Sequence, residues 1–331
     1  MSTPTTARSR TVSFFRYCVV LCLFAFDLSN SHADILRVTL IPSRDSGAYQ
    51  RVIDTITARI DEQPQHTVLL KIISLDDFNQ HSTAIDRTSD LLIPIGIRAT
   101  DSIVQHPGST PILATLVPRS SFNASRKKIM TEMPLESPRN ISAILLDQPI
   151  ERQLNLTRLL FGNVKRIGIP LGLGSQLRHD EIKNIARQFK LSIEIKNIDP
   201  VENLIHQISR LLDRSDALLA LPNPAIFNRR NVRYILLSTY RKRIPVIGFS
   251  KSYVKAGALA ATYSSPEQIG KQTAEAIIAL QKNPAREFPA AAPPIYFSVA
   301  INEQVARSFG YTGLSAQQLA RKISQLEREE Q

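Results

Sequence analysis

Small polar and basic residues follow the apolar, β-branched runs of this 331-residue chain, and they are its candidate binding groups. Ser43, Arg44 and Ser46 follow the first run, with Tyr49 on the helical pattern beyond them. Arg98 follows a later run, and Arg119 and Ser120 another. In the second half, Gly174 and Ser175, then Asn223, then Ser250 and Tyr253 occupy the same kind of position. Ligands of open α/β sheets settle beyond the carboxyl ends of parallel strands, where helix N-termini present unpaired N–H groups. Guanidinium forks match carboxylate or phosphate oxygens at two points. If Arg44, Arg98 and Arg119 converge on one side of a cleft, their mutual repulsion calls for an anion, so the set predicts a small-molecule ligand with an anionic group. Tyr49, Phe249 and Tyr253 offer an apolar or aromatic wall.

No constellation for covalent chemistry accompanies these strand ends. Gly172 and Gly174 begin a glycine pattern whose third position is Leu177, and no lysine–serine pair follows, so a tight turn fits better than a phosphate loop. Histidines 66, 81, 106, 179 and 206 are scattered without metal-ligand spacing, and there is no GxSxG elbow. No cofactor and no metal are expected. The reading is a protein that holds a small molecule rather than an enzyme that transforms one.

The elements that position these groups alternate along the chain. Residues 35–41, 67–73, 90–95, 112–117 and 141–146 read as strands, as do 166–170, 192–198, 217–221, 244–249 and 295–301. Between them Tyr49, Val52, Ile53, Ile56 and Ile60 recur at helical spacing. A short polar helix at 76–82, a helix from Thr100, and helices at 151–161 and 179–190 continue the pattern. Several strands lack polar alternation, as parallel strands covered on both faces do. The fold class is therefore α/β, doubly wound, with two lobes of similar build on either side of about Asp147. Capping grammar marks helix starts at Asp199-Pro200-Val201-Glu202, at Ser265-Pro266-Glu267-Gln268 and at Ser315 with Gln318. Residues 290–294 (AAAPP) read as a short linker.

Residues 1–33 read as a secretory signal peptide: Arg8, Arg10 and Arg16, an apolar core at 17–26, then Ser31-His32-Ala33 before the cut. Both cysteines, Cys18 and Cys22, lie inside it, which suits a soluble periplasmic protein without disulfides. Loss of three arginines and one aspartate with the signal lowers the net charge from +12 to +10 over the remaining 298 residues. That charge favours anionic partners. Dispersed basic residues without a helix-turn-helix or zinc module argue against nucleic acid. Arg229-Arg230 and Arg241-Lys242-Arg243 are solvated faces or contacts for an acidic partner.

ISAILLDQPIERQLNL, KRIGIPLG, SDALLALPNPAIFN, YRKRIPVIGFSKSYVKAGALAATYSSPEQIG and VAINEQVARSFG together resemble the periplasmic substrate-binding proteins of ABC transporters. The likeness is to the broad group that includes tryptophan- and tyrosine-binding members. The resemblance implies two Rossmann-like lobes (the type I-like arrangement) that close over a ligand by hinge motion, in a monomer that delivers its ligand to a membrane permease. The alternative it leaves open is a sensory protein read by a membrane sensor. Mapped here, 34–147 is the first lobe with 265–285 returning to it, and 148–264 is the second. Residues 286–331 hold the linker, a returning strand and a C-terminal helix. Asp147, Gln148, Ser264 and Ser265 then fall at the hinge. Many relatives carry an aspartate where this chain has Asn223; an amide no longer pairs with a ligand ammonium.

Overall fold

Two sheets with the same winding position the strand ends. The computed structural model describes residues 35–63, 67–132, 139–162, 165–172, 176–199, 203–282, 288–311, 313 and 315–329. The first sheet holds β1 (Leu36–Pro42), β2 (Val68–Ile72), β3 (Leu91–Ile95), β4 (Ile112–Val117) and β5 (Ile141–Leu145), all parallel, in the order β2-β1-β3-β4-β5. The second holds β6 (Arg166–Gly172), β7 (Ser192–Ile198), β8 (Ala217–Leu219), β9 (Val246–Gly248), β10 (Ala260–Tyr263) and β11 (Ser298–Ile301), in the order β11-β10-β9-β8-β6-β7. Only β11 is antiparallel to its neighbour. Strand order therefore reverses between β1 and β3 in one sheet and between β6 and β8 in the other. These are the two places where a doubly wound sheet opens a crevice.

The first-half helices are α1 (Gly47–Asp61), α2 (Leu75–Thr88), α3 (Ile97–Gln105), α4 (Arg119–Glu132), α5 (Ile150–Leu160) and α6 (Gln176–Gln188). They are followed by α7 (Leu204–Leu212), α8 (Arg229–Arg241), α9 (Lys251–Ala256), α10 (Pro266–Lys282), α11 (Glu303–Ser308) and α12 (Ala316–Glu329). Alternation along the strands feeds both faces of each sheet. Leu36, Val38 and Leu40 pack with Val52 and Ile56 of α1 and Ile269 of α10. Ile41 and Leu92 face Phe78 of α2, Ile103 of α3 and Ile129 of α4. In the second sheet Ile167, Ile169 and Leu219 meet Leu154 of α5 and Leu319 and Ile323 of α12, while Leu218 and Val246 meet Ile208 of α7 and Ile235 of α8. Each such aliphatic side chain gains roughly 1.5–3 kcal/mol by burial.

Several boundaries differ from the sequence reading. The short polar helix at 76–82 runs as α2 from Leu75 to Thr88, and the helix expected from Thr100 begins at Ile97, just after Gly96. α4 was not anticipated, so Arg119 and Ser120 sit in a first helical turn rather than in a loop. α7 starts at Leu204, capped by the Asn203 side chain on the His206 N–H; the box expected at Asp199–Glu202 falls on residues 200–202, which lie outside the described residues. The Ser265–Gln268 and Ser315–Gln318 boxes form reciprocally. Residues 290–294 are more than a linker. Ala292 donates to Ala143 O and accepts from Leu145 N, each at 2.9 Å, extending the first sheet beyond β5.

Three segments pass from one sheet to the other, and their side chains are knitted together. Gln148 Nε2 donates to Ser264 Oγ at 2.9 Å, and Ser264 Oγ donates to Tyr296 O at 2.5 Å. Arg152 Nη1 donates to Gln148 Oε1 at 2.8 Å and to Pro294 O at 2.9 Å. Gln272 on α10 accepts from Ile295 N and donates to Pro293 O. The third segment, 293–297, was absent from the expected set of crossings.

Candidate functional site

At each switch point a glycine makes room for a polar side chain from the strand on the other side. In the first lobe Gly96 follows β3 with φ +92°, and a Cβ there would lie 2.7 Å from the Tyr49 hydroxyl and 2.9 Å from Ser43 Oγ. In the second, a Cβ on Gly172 would lie 2.4 Å from Asn223 Nδ2. Both lobes thus fold a polar group over the gap between their two central strands.

Between the lobes lies a cavity of about 340 Å³. Pro118 and Leu146 line it from the first lobe, following β4 and β5. From the second come Pro222, Asn223, Pro224, Phe227 and Asn228 after β8, Phe249 and Ser250 after β9, and Tyr263 and Ser264 at the end of β10. Its size falls at the lower end of small-molecule sites, and apolar and aromatic side chains dominate it, as in such sites generally. Phe227 and Phe249 are 5.7 Å apart, and Tyr253 packs on both from behind, stacked at 5.1 Å on Phe249 and edge-on at 5.7 Å to Phe227. Each pair adds about 0.5–1.5 kcal/mol beyond its burial and holds the wall rigid. A bulge at Leu116, whose φ of 57° is rare for a branched side chain, sits two residues before Pro118 on the opposite side. Asn223 is fixed by its own turn, its Oδ1 accepting from Ala225 N at 3.0 Å, while Nδ2 lies over Gly172.

The expected residues divide. Asn223, Ser250 and Ser264 line this cavity together, with Phe249. Ser250 also caps α9 by accepting from Tyr253 N. Tyr253 is 4% exposed and backs the wall; burial raises its hydroxyl pKa, so it stays protonated. Gly174 and Ser175 lie outside the described residues, as does the signal segment 1–33. Ser43 is committed inside the lobe, donating to Ile95 O and accepting from Ala99 N, both at 2.9 Å. Ser46 caps α1 on Tyr49 N, and the Tyr49 hydroxyl covers Gly96.

The three arginines do not line the cavity: Arg44 and Arg98 are exposed, and Arg119 is half-buried at the start of α4. Ser120 is exposed beside it. Asp147 accepts from Arg119 N at 2.7 Å, so that carboxylate caps α4. Gln148, Ser264 and Ser265 lie on the crossing segments described above. The strand-end segments 118–120 and 223–224 were expected at the cleft, and Pro118 and Pro224 line it; sequence reasoning missed Leu146, Pro222, Phe227, Asn228 and Tyr263. Proline and aromatic residues directly after apolar runs were the available signal.

Residues 74–310 match the family described as ABC transporter substrate binding protein. The chain belongs to that family. Among solved structures it is similar to a ligand-free, open substrate-binding protein with adhesive properties from Clostridium difficile, at 17% identity and a TM-score of 0.64, covering 85% of this chain and 97% of that one. An ABC domain from Streptococcus pneumonia in complex with L-Trp aligns at 15% identity and a TM-score of 0.56, over 84% of this chain and 96% of the other. A conserved domain protein from Vibrio cholerae aligns at 19% and 0.57, over 86% and 97%. No curated protein matches the chain significantly. The fold is that of two-lobe periplasmic binding proteins of type I. Family members are solute-binding proteins that work with ABC permeases. Among the described residues no helix is long and apolar enough to cross a membrane, and no cluster of three or more metal-ligating side chains occurs.

Proposed function

We propose that this chain is an exported, monomeric solute-binding protein that captures a small molecule with an apolar or aromatic body and passes it to an ABC permease. Residues 34–147 with 265–285 form one jaw and 148–264 the other. Residues 286–331 return past the first sheet at Ala292 and complete the second jaw with β11 and α12. The hinge is the knot around Gln148, Ser264 and the segment 293–297. Asp147 and Ser265 flank it, each holding a helix start. Ligand bridging both jaws shifts the open–closed equilibrium toward the closed form. The observation that carries the reading is the apolar cavity lined from the strand ends of both sheets directly beside that knot.

The lining also narrows the ligand. Among the described residues it includes no carboxylate, and Asn223 supplies an amide. A ligand ammonium there would lose its hydration without gaining an anion, which is costly. A neutral or anionic ligand fits; a free amine does not. The similar Streptococcus protein holds L-Trp, and here the preference should move to aromatic molecules of that size without the amino group.

The test is a ligand-library thermal shift, then calorimetry and small-angle scattering, on the parent and on Asn223→Asp. Amine-free aromatic compounds should raise the melting temperature and compact the parent, and Asn223→Asp should gain affinity for amine-bearing analogues. Equal parental affinity for amine-bearing and amine-free analogues would sink the ligand assignment. Tight binding with unchanged dimensions would sink hinge closure.

A further inference from the structure

The charge of this molecule is not evenly spread. From residue 217 to 266 there is no aspartate or glutamate, while Arg229, Arg230, Arg233, Arg241, Lys242, Arg243, Lys251 and Lys255 all fall in that stretch. Helix α8 carries four of the eight. At 100° per residue its exposed arc is composed of Arg229, Arg230, Arg233 and Arg241 with Tyr234, Leu237 and Tyr240. Tyr234 is 55% exposed, Leu237 42% and Tyr240 61%, three of the seven large apolar side chains left open among the described residues. Its opposite face, Ile235, Leu236 and Thr239, is buried. Of the cations, Lys242 pairs with Asp213; the arginines of the arc have no ion-pair partner among the described residues. Beside the arc runs an open groove of about 790 Å³ between α8 and α9, with Arg233, Leu237 and Tyr240 on one wall and Ser252 and Ala256 on the other; at its inner end it shares Phe227, Asn228, Phe249 and Ser250 with the cavity between the lobes.

We propose that this face of α8 docks on an anionic lipid bilayer, laying the second lobe against the membrane surface. Aromatic rings set among arginines on one helical arc match the bilayer interface: rings and Leu237 at headgroup depth, guanidinium groups on lipid phosphates. Charge alone would suit any anionic surface; the exposed Tyr234, Leu237 and Tyr240 on the same arc favour a bilayer, whose headgroup region takes up rings and an aliphatic side chain together with the arginines. The groove alongside gives room for the part of a lipid displaced by the rings. This docking needs no ligand in the cleft, so it stands apart from the solute-binding reading.

The test is co-sedimentation of residues 34–331, which contain the compact unit Leu36–Gln331, with vesicles. One set is equal-part phosphatidylcholine and phosphatidylglycerol; the other is phosphatidylcholine alone. Binding should appear with the anionic vesicles only. It should vanish as salt rises from about 0.1 M to about 1 M, which shortens the Debye length from about 10 Å to about 3 Å. Replacing three arginines, Arg230→Gln, Arg233→Gln and Arg241→Gln, should weaken binding about fivefold each, about a hundredfold together. The same loss of charge elsewhere, at the exposed Arg87, Arg126 and Arg187, should leave it nearly unchanged. Tyr234→Ser with Tyr240→Ser keeps every charge and should still weaken it, with the melting temperature confirming each fold. No binding to anionic vesicles, an equal effect of the remote arginines, or preference for soluble polyglutamate over vesicles would overturn the proposal.

Discussion

Replacing Arg152 with methionine isolates the knot where the three crossing segments meet. The guanidinium is 5% exposed, and Nε and Nη2 reach Glu327 at 2.6 and 3.0 Å as a two-point pair. Nη1 serves Gln148 and Pro294, and the whole group lies 4.0 Å over the Phe297 ring. Methionine fills similar volume but strands a carboxylate that is 21% exposed, along with two acceptors. Removing one partner of a buried pair costs about 3–5 kcal/mol, since the remaining charge is left uncompensated. At roughly 2–4 °C per kcal/mol for a chain of this class, the melting temperature should fall by about 6–20 °C. Lysine should not rescue it, because one ammonium cannot cover the fork and Nη1 together. Adding Glu327→Leu should recover most of the loss, since replacing both charges by apolar groups is close to neutral. Calorimetry on the parent and these three variants checks this. A drop below about 1 kcal/mol, or a double variant as unstable as Arg152→Met, would refute the claim that the pair holds α12 to the crossing segments.

Gly172→Ala should move Asn223, because the new Cβ would lie 2.4 Å from its amide. Overpacking of this kind costs about 1–3 kcal/mol, and calorimetry should show weaker ligand binding in step with a lower melting temperature. Stability should also fall in acid. The side-chain hydrogen bond from Arg166 holds the Asp216 carboxyl below the usual carboxylate range, and the one from Ser265 does the same for Glu267. A depressed folded pKa means stability present above the unfolded value, about pH 4, and lost as pH drops through the folded one. Asp216→Asn should flatten the melting temperature against pH below about pH 4 while changing it little in slope near neutrality; an unchanged acid slope would count against the Arg166 bond.

The strands were legible because their apolar runs are buried on both faces, as at Leu91–Ile95, where no polar residue interrupts. α4 was not, because its inward stripe is Phe122, Ser125 and Ile129, and the middle member hides as a serine. Ser125 donates to Asp101 at 2.5 Å, so the helix is fixed by a polar contact that apolar periodicity cannot register. The strand-like pairing of Ala292 rests on backbone groups alone, which AAAPP does not announce.

The same logic separates what was and was not legible in the cleft. Strand order brings Asn223 and Ser250 to the carboxyl edge of the second sheet, and sequence position suffices to place them there. Whether a residue at that edge faces the other lobe depends on where the crossing segments bring the two edges together. In this protein they bring the ends of β4 and β5 toward those of β8, β9 and β10. The arginines follow β1, β3 and β4; Arg44 lies across the switch point from the edge that faces the cavity, and Arg98 follows the strand next to that point, one strand away from β4. A charge reading taken strand by strand therefore expected an anion-binding wall, while the meeting of the two edges selects prolines and phenylalanines. The basic character was real but belongs to another surface: four arginines lie on the exposed arc of α8, outside the lining of the cavity between the lobes.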